Sequence, residues 1–250
     1  MEVSGEKQYR ILNRDVVKYI AVFTMLLNHV AVIFLESGSI VYELLVSIGY
    51  FTAISMIYFL VEGYHYTHSK KAYFGRMFVF GSISQIPFSL AFTQEGLLEF
   101  ERFNMLFTLC LCFGVIWVWE NIANPAVKDS LIFLLVLAGA MFDWGVMAPV
   151  FTLLFLWAGG SRKKLKLAFA GAVLIFTAYN IWEGSYLFPV ERNLFYAALG
   201  AAGMGMSGLC IVYLYNGKRM EKGKKFSKWF FYVFYPAHLL VLGLIRILAA

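Results

Sequence analysis

Charged residues are scarce in this chain, and cysteine and proline are scarcer still. Of its 250 residues, 14% are charged, whereas 61% are hydrophobic and 18% are aromatic. A soluble domain carries about 25% charged residues, so the chain has too few to cover a water-facing surface. Its three cysteines all lie in apolar runs. Their odd number and location argue against a disulfide framework or a zinc cluster and predict small buried residues.

The chain has instead a series of apolar runs, most of them close to the roughly 20 residues that cross a bilayer core. We predict an all-α polytopic membrane protein, a single domain over residues 1–250, with about nine transmembrane helices. The fifth and sixth segments are short enough to form a hairpin that does not cross fully. The predicted spans are 16–35, 41–62, 73–93, 104–122, 129–142, 145–159, 165–182, 193–215 and 229–248.

The net charge of +6 is distributed as membrane topology requires, and we predict no nucleic-acid partner. With a cytoplasmic N-terminus, the cytoplasmic segments hold every basic residue except Arg102, Arg192 and Arg246. This asymmetry predicts an external C-terminus. The first run is too long for a signal peptide, and we expect it to be retained. The basic loop 216–228 either anchors the topology beside anionic lipid or helps to hold the phosphates of a nucleotide donor.

Polar side chains within the apolar runs are the functional candidates, because hydrocarbon makes such groups costly. The first run, VVKYIAVFTMLLNHVAVIFL, contains Asn28 and His29, and the last run contains His238. A histidine titrates near neutral pH and can take a proton from an amine or a hydroxyl. We predict that segments one and nine bring these groups to a shared polar cavity where an acyl group is transferred. Packing between helices is the alternative.

Further polar residues fall into two tiers by their depth in the predicted helices. The outer tier, on the side of the substrate, contains Gln85, Asn104 and Asp143, and the inner tier contains Lys18, Glu62, His65 and Arg76. Pro87 and Pro236 each remove a backbone donor, and we expect them to open their helices beside the cavity.

Two motifs are more economically explained without the function that their spacing suggests. Glu62-x-x-His65 lacks the second copy that a di-iron bundle needs, so we predict no metal and expect Glu62 to pair with Arg76 or to orient His65. Gly203-x-Gly205-x-x-Gly208 lies inside an apolar run, whereas a dinucleotide fingerprint follows a strand. There, Ala197, Ala201 and Gly205 at four-residue spacing predict close helix packing.

Five segments, taken in order, carry a resemblance to a known family. They are KYIAVFTMLLNHVA, FLVEGYHYTHSKKAYFGRMFVFGSISQIPF, NMLFTL, FDWG and WFFYVFYPAHLLVL. In this order they resemble the TraX family, integral membrane proteins named for the pilin N-terminal acetylase of conjugative plasmids. The resemblance covers nearly the whole chain and extends more distantly to the transmembrane acyltransferases that modify surface glycans.

The resemblance implies an acetyl-coenzyme A-dependent N- or O-acetyltransferase of the bacterial cytoplasmic membrane. It makes His29 and His238 catalytic candidates, with Asn28 beside them. The family commonly has Asp at this position; an asparagine cannot raise the basicity of a histidine, but it can donate a hydrogen bond to a thioester oxygen. The expected donor-binding residues are Lys18, Glu62, His65, Arg76, Lys218 and Arg219.

The acceptor stays open at this point. An amine or a hydroxyl of a pilin, a glycan or a lipid-linked molecule would serve, and membrane lipids and a second copy of the chain are expected partners. Two other functions also stay open. One is a small transporter or flippase, although no inverted repeat is visible in the sequence. The other is a non-catalytic accessory protein of surface-polymer or pilus assembly.

Overall fold

The computed structural model describes residues 9–93, 96 and 98–249. In this part, the chain forms nine α-helices and no β-sheet, which confirms the all-α prediction. A 3₁₀ turn, Gly139–Met141, follows the fifth helix, and a π-helical turn, Cys210–Leu214, follows the eighth. The helices are α1 Arg14–Phe34, α2 Ile40–Tyr66, α3 Lys70–Phe92, α4 Met105–Asn121, α5 Pro125–Ala138, α6 Met147–Ala158, α7 Arg162–Gly184, α8 Val190–Leu209 and α9 Lys224–Ala249.

Five helical segments in the described residues are long and apolar enough to cross a membrane. They are α1, α2, α7, α8 extended by the π-helical turn, and α9. Large apolar side chains lie exposed on several helices, among them Phe133 at 61%, Ile86 at 65% and Leu174 at 70%. Water would make such surfaces costly, whereas lipid solvates them at no such cost.

Helix ends follow from local capping signals. Asn13 caps α1, where its Oδ1 accepts a hydrogen bond from the Val16 N–H at 3.0 Å. Asn124 caps α5 in the same way through the Val127 N–H at 3.3 Å, and Pro125 occupies the first helical position. This cap starts α5 before residue 129, where the apolar pattern predicts the fifth segment, because a polar first turn carries no hydropathy signal.

The middle of the chain holds the shorter helices. The α4, α5 and α6 helices contain 17, 14 and 12 residues, so the fifth and sixth predicted segments are indeed short. Pro87 and Pro236 both lie inside helices that continue past them, α3 and α9. The three cysteines are free and buried, as predicted.

Two compact units make up the described chain. The first contains the residues up to Met56 and Ala158–Lys228, and the second contains Ile57–Trp157 and the residues from Trp229 onward. The boundary therefore falls within α2, whose first part belongs to one unit and whose last turns belong to the other. The prediction of a single domain stays a prediction.

The first unit depends on glycines along α8. A Cβ on Gly203 would lie 1.8 Å from the Ser47 carbonyl oxygen of α2, so only glycine permits this contact. Gly208 lies in the same way against Phe169 of α7, with 3.1 Å to a Cβ built there. The packing interpretation of this series is therefore confirmed, but the predicted stripe is wrong for Gly205, which has no neighbour within 4 Å of such a Cβ.

The second unit joins α9 to the end of α3. A Cβ on Gly243 would lie 3.1 Å from the Ala91 nitrogen, so the two helices approach closely there. Beside this contact, the Arg246 Nε–H donates to the Leu90 carbonyl at 3.1 Å. Arg246 thus places a positive charge on the last turn of α3, where the helix dipole favours a cation.

Candidate functional site

The beginning of α4 organises the polar residues of the second unit. Asn104 is fully buried and caps the helix, because its Oδ1 accepts from the Leu106 N–H at 3.0 Å. Its Nδ2 donates to the Gly81 carbonyl at 2.8 Å and to Gln85 Oε1 at 2.9 Å. All polar atoms of this amide are therefore used within the protein.

Gln85 completes this network from α3. Its Oε1 also accepts from the Asn104 backbone N–H at 3.1 Å, and its Nε2 donates to the Arg102 carbonyl at 3.0 Å. The sequence predicts Gln85 and Asn104 together on the substrate side, and the structure does bring them together. Their observed hydrogen bonds hold α3 against α4, and a substrate-binding role stays a prediction.

Asp143 lies in a constrained turn between the 3₁₀ turn and α6. Its backbone N–H donates to the Phe103 carbonyl at 2.7 Å, and its own carbonyl accepts from Thr108 Oγ1 at 2.7 Å. The next residue, Trp144, has a φ of 65°, which a side chain other than glycine adopts only at a cost. Backbone strain of this kind, roughly 1–3 kcal/mol, persists where the surroundings impose it.

The environment of the half-buried Asp143 carboxyl group changes its proton affinity. Burial raises its pKa to about 6 from the ordinary 3.8, although the Arg102 charge and the Trp144 N–H act in the opposite direction. The Trp144 N–H donates to Asp143 Oδ1 at 3.1 Å. The group can therefore exchange a proton close to neutral pH.

Tyr235 of α9 lies next to this turn and the start of α4, and His238 lies beside Tyr235 on the same helix. The buried Tyr235 hydroxyl accepts from the Met105 N–H at 3.2 Å, and the negative charge of Asp143 acts on it. The His238 ring lies with its centroid 5.8 Å from that of Tyr235 and stacks on Phe234 at 4.8 Å. We call Asp143, Tyr235 and His238 the Asp143 cluster.

The proton position on His238 follows from one hydrogen bond. Its Nδ1 lies 2.8 Å from the Phe234 carbonyl oxygen, which can only accept. Nδ1 therefore carries the proton, and in the neutral ring the Nε2 lone pair is the basic one. Sequence reasoning does not single out Tyr235 as a candidate, although Tyr235-Pro236-Ala237-His238 places it on α9 close to the histidine.

His65 and its neighbours form a separate group in the second unit. His65 Nε2 lies 2.8 Å from Glu120 Oε1, and its Nδ1 lies 2.8 Å from the Val61 carbonyl oxygen. Lys70 Nζ reaches the other oxygen of Glu120 at 3.4 Å. Because both nitrogens of His65 are engaged, the structure gives the orienting role predicted for Glu62 to Glu120.

Arg76, on α3, has aromatic rather than acidic neighbours. Its guanidinium lies 5.9 Å from the Tyr73 ring centroid, and the Tyr232 hydroxyl is within hydrogen-bonding reach. The expected pair between Glu62 and Arg76 is thus absent among the described residues. The donor-binding roles of Glu62, His65 and Arg76 stay predictions.

Asn28 and His29 belong to the first unit, and both are half-buried on α1. Asn28 Nδ2 donates to the Val46 carbonyl of α2 at 3.1 Å. Gly49 makes room for this side chain, because a Cβ there would lie 2.2 Å from Asn28 Cβ. One of the two N–H groups of Asn28 therefore binds the protein itself. The cavity predicted between His29 and His238 stays a prediction.

The basic segment 216–228, predicted as a loop, ends in the first turn of α9, which begins at Lys224. It is attached to the start of α1 through Asp15, which sequence reasoning does not single out. Asp15 is 3% exposed; its Oδ2 accepts from the Met220 N–H at 2.9 Å, and its Oδ1 accepts from the buried Ser227 hydroxyl. We call Asp15, Met220 and Ser227 the Asp15 cluster. The charges of Arg219 and Lys18 both act on this carboxylate.

Backbone hydrogen bonds complete this attachment. The Arg14 N–H donates to the Lys218 carbonyl at 2.8 Å, and the Asn216 N–H donates to the Leu12 carbonyl at 2.9 Å. The structure thus brings together three predicted donor-binding residues of the first unit, Lys18, Lys218 and Arg219. An acid in the first turn of a helix that faces a basic loop could have indicated Asp15.

Metal binding has no support in the described ranges, where no group of three or more His, Cys, Asp or Glu side chains is placed to hold an ion. The described residues offer a carboxyl group with a raised pKa in the second unit and clustered positive charge in the first.

Known proteins provide two matches. The chain matches the family model described as TraX protein over residues 13–246. It is also similar to a protein of Dichelobacter nodosus described as probable fimbrial assembly protein FimC, serogroup H1, with 32% identity over 232 residues, or 90% of this chain and 92% of that protein. No solved structure matches. Together with the apolar helices, these matches identify an integral membrane protein of the bacterial inner membrane that belongs to the TraX family.

Proposed function

We propose that this protein acts in pilus assembly and moves an acetyl group from acetyl-coenzyme A to an amine or hydroxyl of a pilin subunit. The observation that carries the proposal is the Asp143 cluster. In it, Tyr235 lies between a histidine with a defined basic nitrogen and a carboxyl group whose charge acts on the tyrosine and whose pKa is about 6. Such groups are costly between apolar helices and serve proton transfer where they occur.

The reaction needs this kind of chemistry. Acetyl transfer to an amine forms a C–N bond and breaks the C–S bond of the thioester, and one proton moves from the acceptor nitrogen to the departing sulfur. We propose His238 as the base that accepts this proton, with Asp143 exchanging it near neutral pH, and His29 as the alternative base. Where His29 is the base, the second N–H of the adjacent Asn28 would donate to the oxyanion that forms on the thioester carbonyl.

The membrane topology assigns a side to each substrate. We propose that all nine helices cross, with the N-terminus in the cytoplasm and the C-terminus outside. This arrangement puts Lys18, Lys218 and Arg219 on the cytoplasmic side, where the donor phosphates would bind, along with Arg76, His65 and Glu62. The positions of the nine helices and the alternation of basic segments support it.

The acceptor is inferred from the relative. The Dichelobacter nodosus protein is described as a fimbrial assembly protein, so we propose that this chain serves the same process, with a pilin as the acceptor. Gln85, Asn104 and Asp143 would lie on the side of the acceptor.

One observation favours a second candidate, a non-catalytic accessory protein of pilus assembly. The Asn28 amide is bonded to the Val46 carbonyl, at a position where the resemblance to the family implies Asp. An activating carboxylate is thus replaced by a group that holds α1 against α2.

Intact-mass measurement of pilin distinguishes the two candidates. Pilin from the source bacterium, from a strain lacking this protein, and from strains with His238→Gln or His29→Gln would be compared, together with the number of assembled pili. If the protein is an enzyme, pilin should lack one acetyl group in the strain without this protein and in at least one of the histidine variants. Unchanged pilin mass, with assembly lost only in the deletion, would support the accessory protein.

A further inference from the structure

Arg76 has a buried donor that the protein does not use. Its Nε–H is inaccessible to solvent and has no hydrogen-bond partner among the described residues. An unsatisfied buried donor destabilises the folded protein, and more so when it belongs to a charged group. A guanidinium keeps its charge at any physiological pH, so this cost cannot be avoided by losing a proton.

The described contacts of Arg76 are with aromatic side chains. Tyr232 of α9 brings its hydroxyl within hydrogen-bonding reach, and the Tyr73 ring lies beside the guanidinium. Phe80 stacks on Tyr232 at 5.0 Å between ring centroids and holds it in place. A phenol that accepts from a guanidinium still has its own proton to donate.

A second unused donor lies in the same aromatic group. Tyr64 is fully buried, and its hydroxyl has no hydrogen-bond partner in the described part of the chain. Tyr64 and Tyr73 both pack edge-on against Phe113, with centroid distances of 4.8 and 5.9 Å. Lys70 adds a positive charge 3.9 Å from the Tyr64 ring centroid.

The charges in this group are therefore mainly positive. The carboxylate of Glu120 contacts His65 and Lys70 rather than Arg76. We propose that Arg76 and Tyr232 form an anion site that binds a phosphate group. Nε and one Nη of an arginine present two parallel N–H groups, which fit two phosphate oxygens, and the Tyr232 hydroxyl donates to a third.

The phosphate has two natural sources, acetyl-coenzyme A and the headgroup of a lipid. The first rests on the proposed function and deepens it, because it assigns the donor's phosphates to particular atoms. The site itself rests only on Arg76, Tyr232 and their neighbours, so it can be tested without measuring acetyl transfer.

The test uses full-length protein in dodecyl maltoside, which carries no phosphate, and follows the temperature of unfolding as inorganic pyrophosphate is added at constant ionic strength. Wild type should be stabilised in a saturable way. Arg76→Gln should weaken the apparent affinity about 10- to 100-fold, as loss of charge-assisted hydrogen bonds does. Tyr232→Phe, which keeps the ring and is expected to fold, should weaken it several-fold, and Arg192→Gln, an exposed arginine of the first unit, should not.

A second arm compares acetyl-coenzyme A, S-acetyl-pantetheine and a short-chain phosphatidic acid. An Arg76 effect on acetyl-coenzyme A but not on S-acetyl-pantetheine supports the donor as the source. An effect on pyrophosphate and phosphatidic acid, with no acetyl-coenzyme A binding, supports the anion site and counts against the proposed function. Equal pyrophosphate affinity in wild type, Arg76→Gln and Tyr232→Phe overturns the site, even if acetyl transfer is found.

Discussion

Two aspartates, one in each unit, meet different surroundings. Asp15 accepts hydrogen bonds on both oxygens and has Lys18 and Arg219 nearby. Asp143 accepts a hydrogen bond on one oxygen from the N–H of the strained Trp144, which follows it, and has a pKa raised to about 6. The surroundings of Asp15 stabilise an ionised carboxylate that holds the basic segment. Those of Asp143 leave a carboxyl group that exchanges a proton near neutral pH. Burial alone therefore does not indicate which aspartate can exchange a proton near neutral pH. The hydrogen-bond donors around each carboxyl group do.

The largest expected effect separates the two aspartates by activity. Asp143→Asn should lower acetyl transfer about 10²- to 10⁴-fold, the usual contribution of an acid–base group. The side chain keeps its shape and can still accept from the Trp144 N–H, so the temperature of unfolding at pH 7 should not fall. Intact mass of the acceptor after incubation with acetyl-coenzyme A measures the transfer.

Asp129→Asn, at an exposed position on α5, is the matched control and should transfer normally. Full activity in Asp143→Asn would remove Asp143 from the mechanism and leave the turn as a structural feature.

The second prediction concerns Asp15, where we expect a loss of stability. Asp15→Ala should lower the free energy of unfolding by about 2–4 kcal/mol, because the Met220 N–H and the Ser227 hydroxyl lose their acceptor in a buried place. Thermal unfolding in detergent and proteolysis within the 216–228 loop measure the loss. Asp129→Ala provides the control, since an exposed change of this kind stays within about 0.5 kcal/mol. An unchanged unfolding temperature together with an intact loop would show that the backbone hydrogen bonds suffice.

The comparison also shows what the sequence can predict. Apolar runs predict all nine helices because each spans several turns, and the charges predict which loops are basic. Gln85, Asn104, Asp143 and His238 are recognisable as polar residues in apolar surroundings, and the structure places all four in the second unit.

Other features have no local signal. The partner of His65 is Glu120, 55 positions away, and nothing in the spacing of Glu62 and His65 points to it. Asp15 looks like an ordinary first-turn acid until Met220 and Ser227 are folded against it. The close contact on α8 involves Gly203 rather than Gly205, because the face that meets α2 depends on how the helix is rotated, which a four-residue spacing leaves open.

The third prediction concerns pH. Because burial raises the pKa of Asp143 to about 6 from 3.8, the folded protein binds a proton more tightly than the unfolded chain between these values. The contribution of Asp143 to the free energy of unfolding is therefore largest below about pH 4. It falls as pH rises to about 6 and is constant above that pH. Arg102 and the Trp144 N–H act on the Asp143 carboxyl group, and the charge of Asp143 acts on Tyr235.

Unfolding temperatures at intervals from pH 4 to pH 7 measure this contribution as the difference between wild type and Asp143→Asn. From neutral to acid pH, the unfolding temperature of Asp143→Asn should fall relative to that of the wild type, since only the wild type gains stability on protonation. Parallel curves for the two proteins would mean that water reaches the carboxyl group and that its pKa is ordinary.

The smallest effects come from the hydroxyl groups that contact the two aspartates, Ser227 and Thr108, both fully buried. Ser227 donates to the charged carboxylate of Asp15, whereas Thr108 donates to the neutral backbone carbonyl of Asp143. A hydrogen bond to a charged group contributes about 1.5–3 kcal/mol and a neutral one about 1 kcal/mol. Ser227→Ala should therefore cost roughly twice as much unfolding free energy as Thr108→Val, which keeps the volume of the side chain.

The loss of acetyl transfer should show the opposite order, because Thr108 holds the turn that carries Asp143 and Ser227 holds only the basic segment. Equal costs and equal activities would mean that the two aspartates differ less in charge than their surroundings indicate.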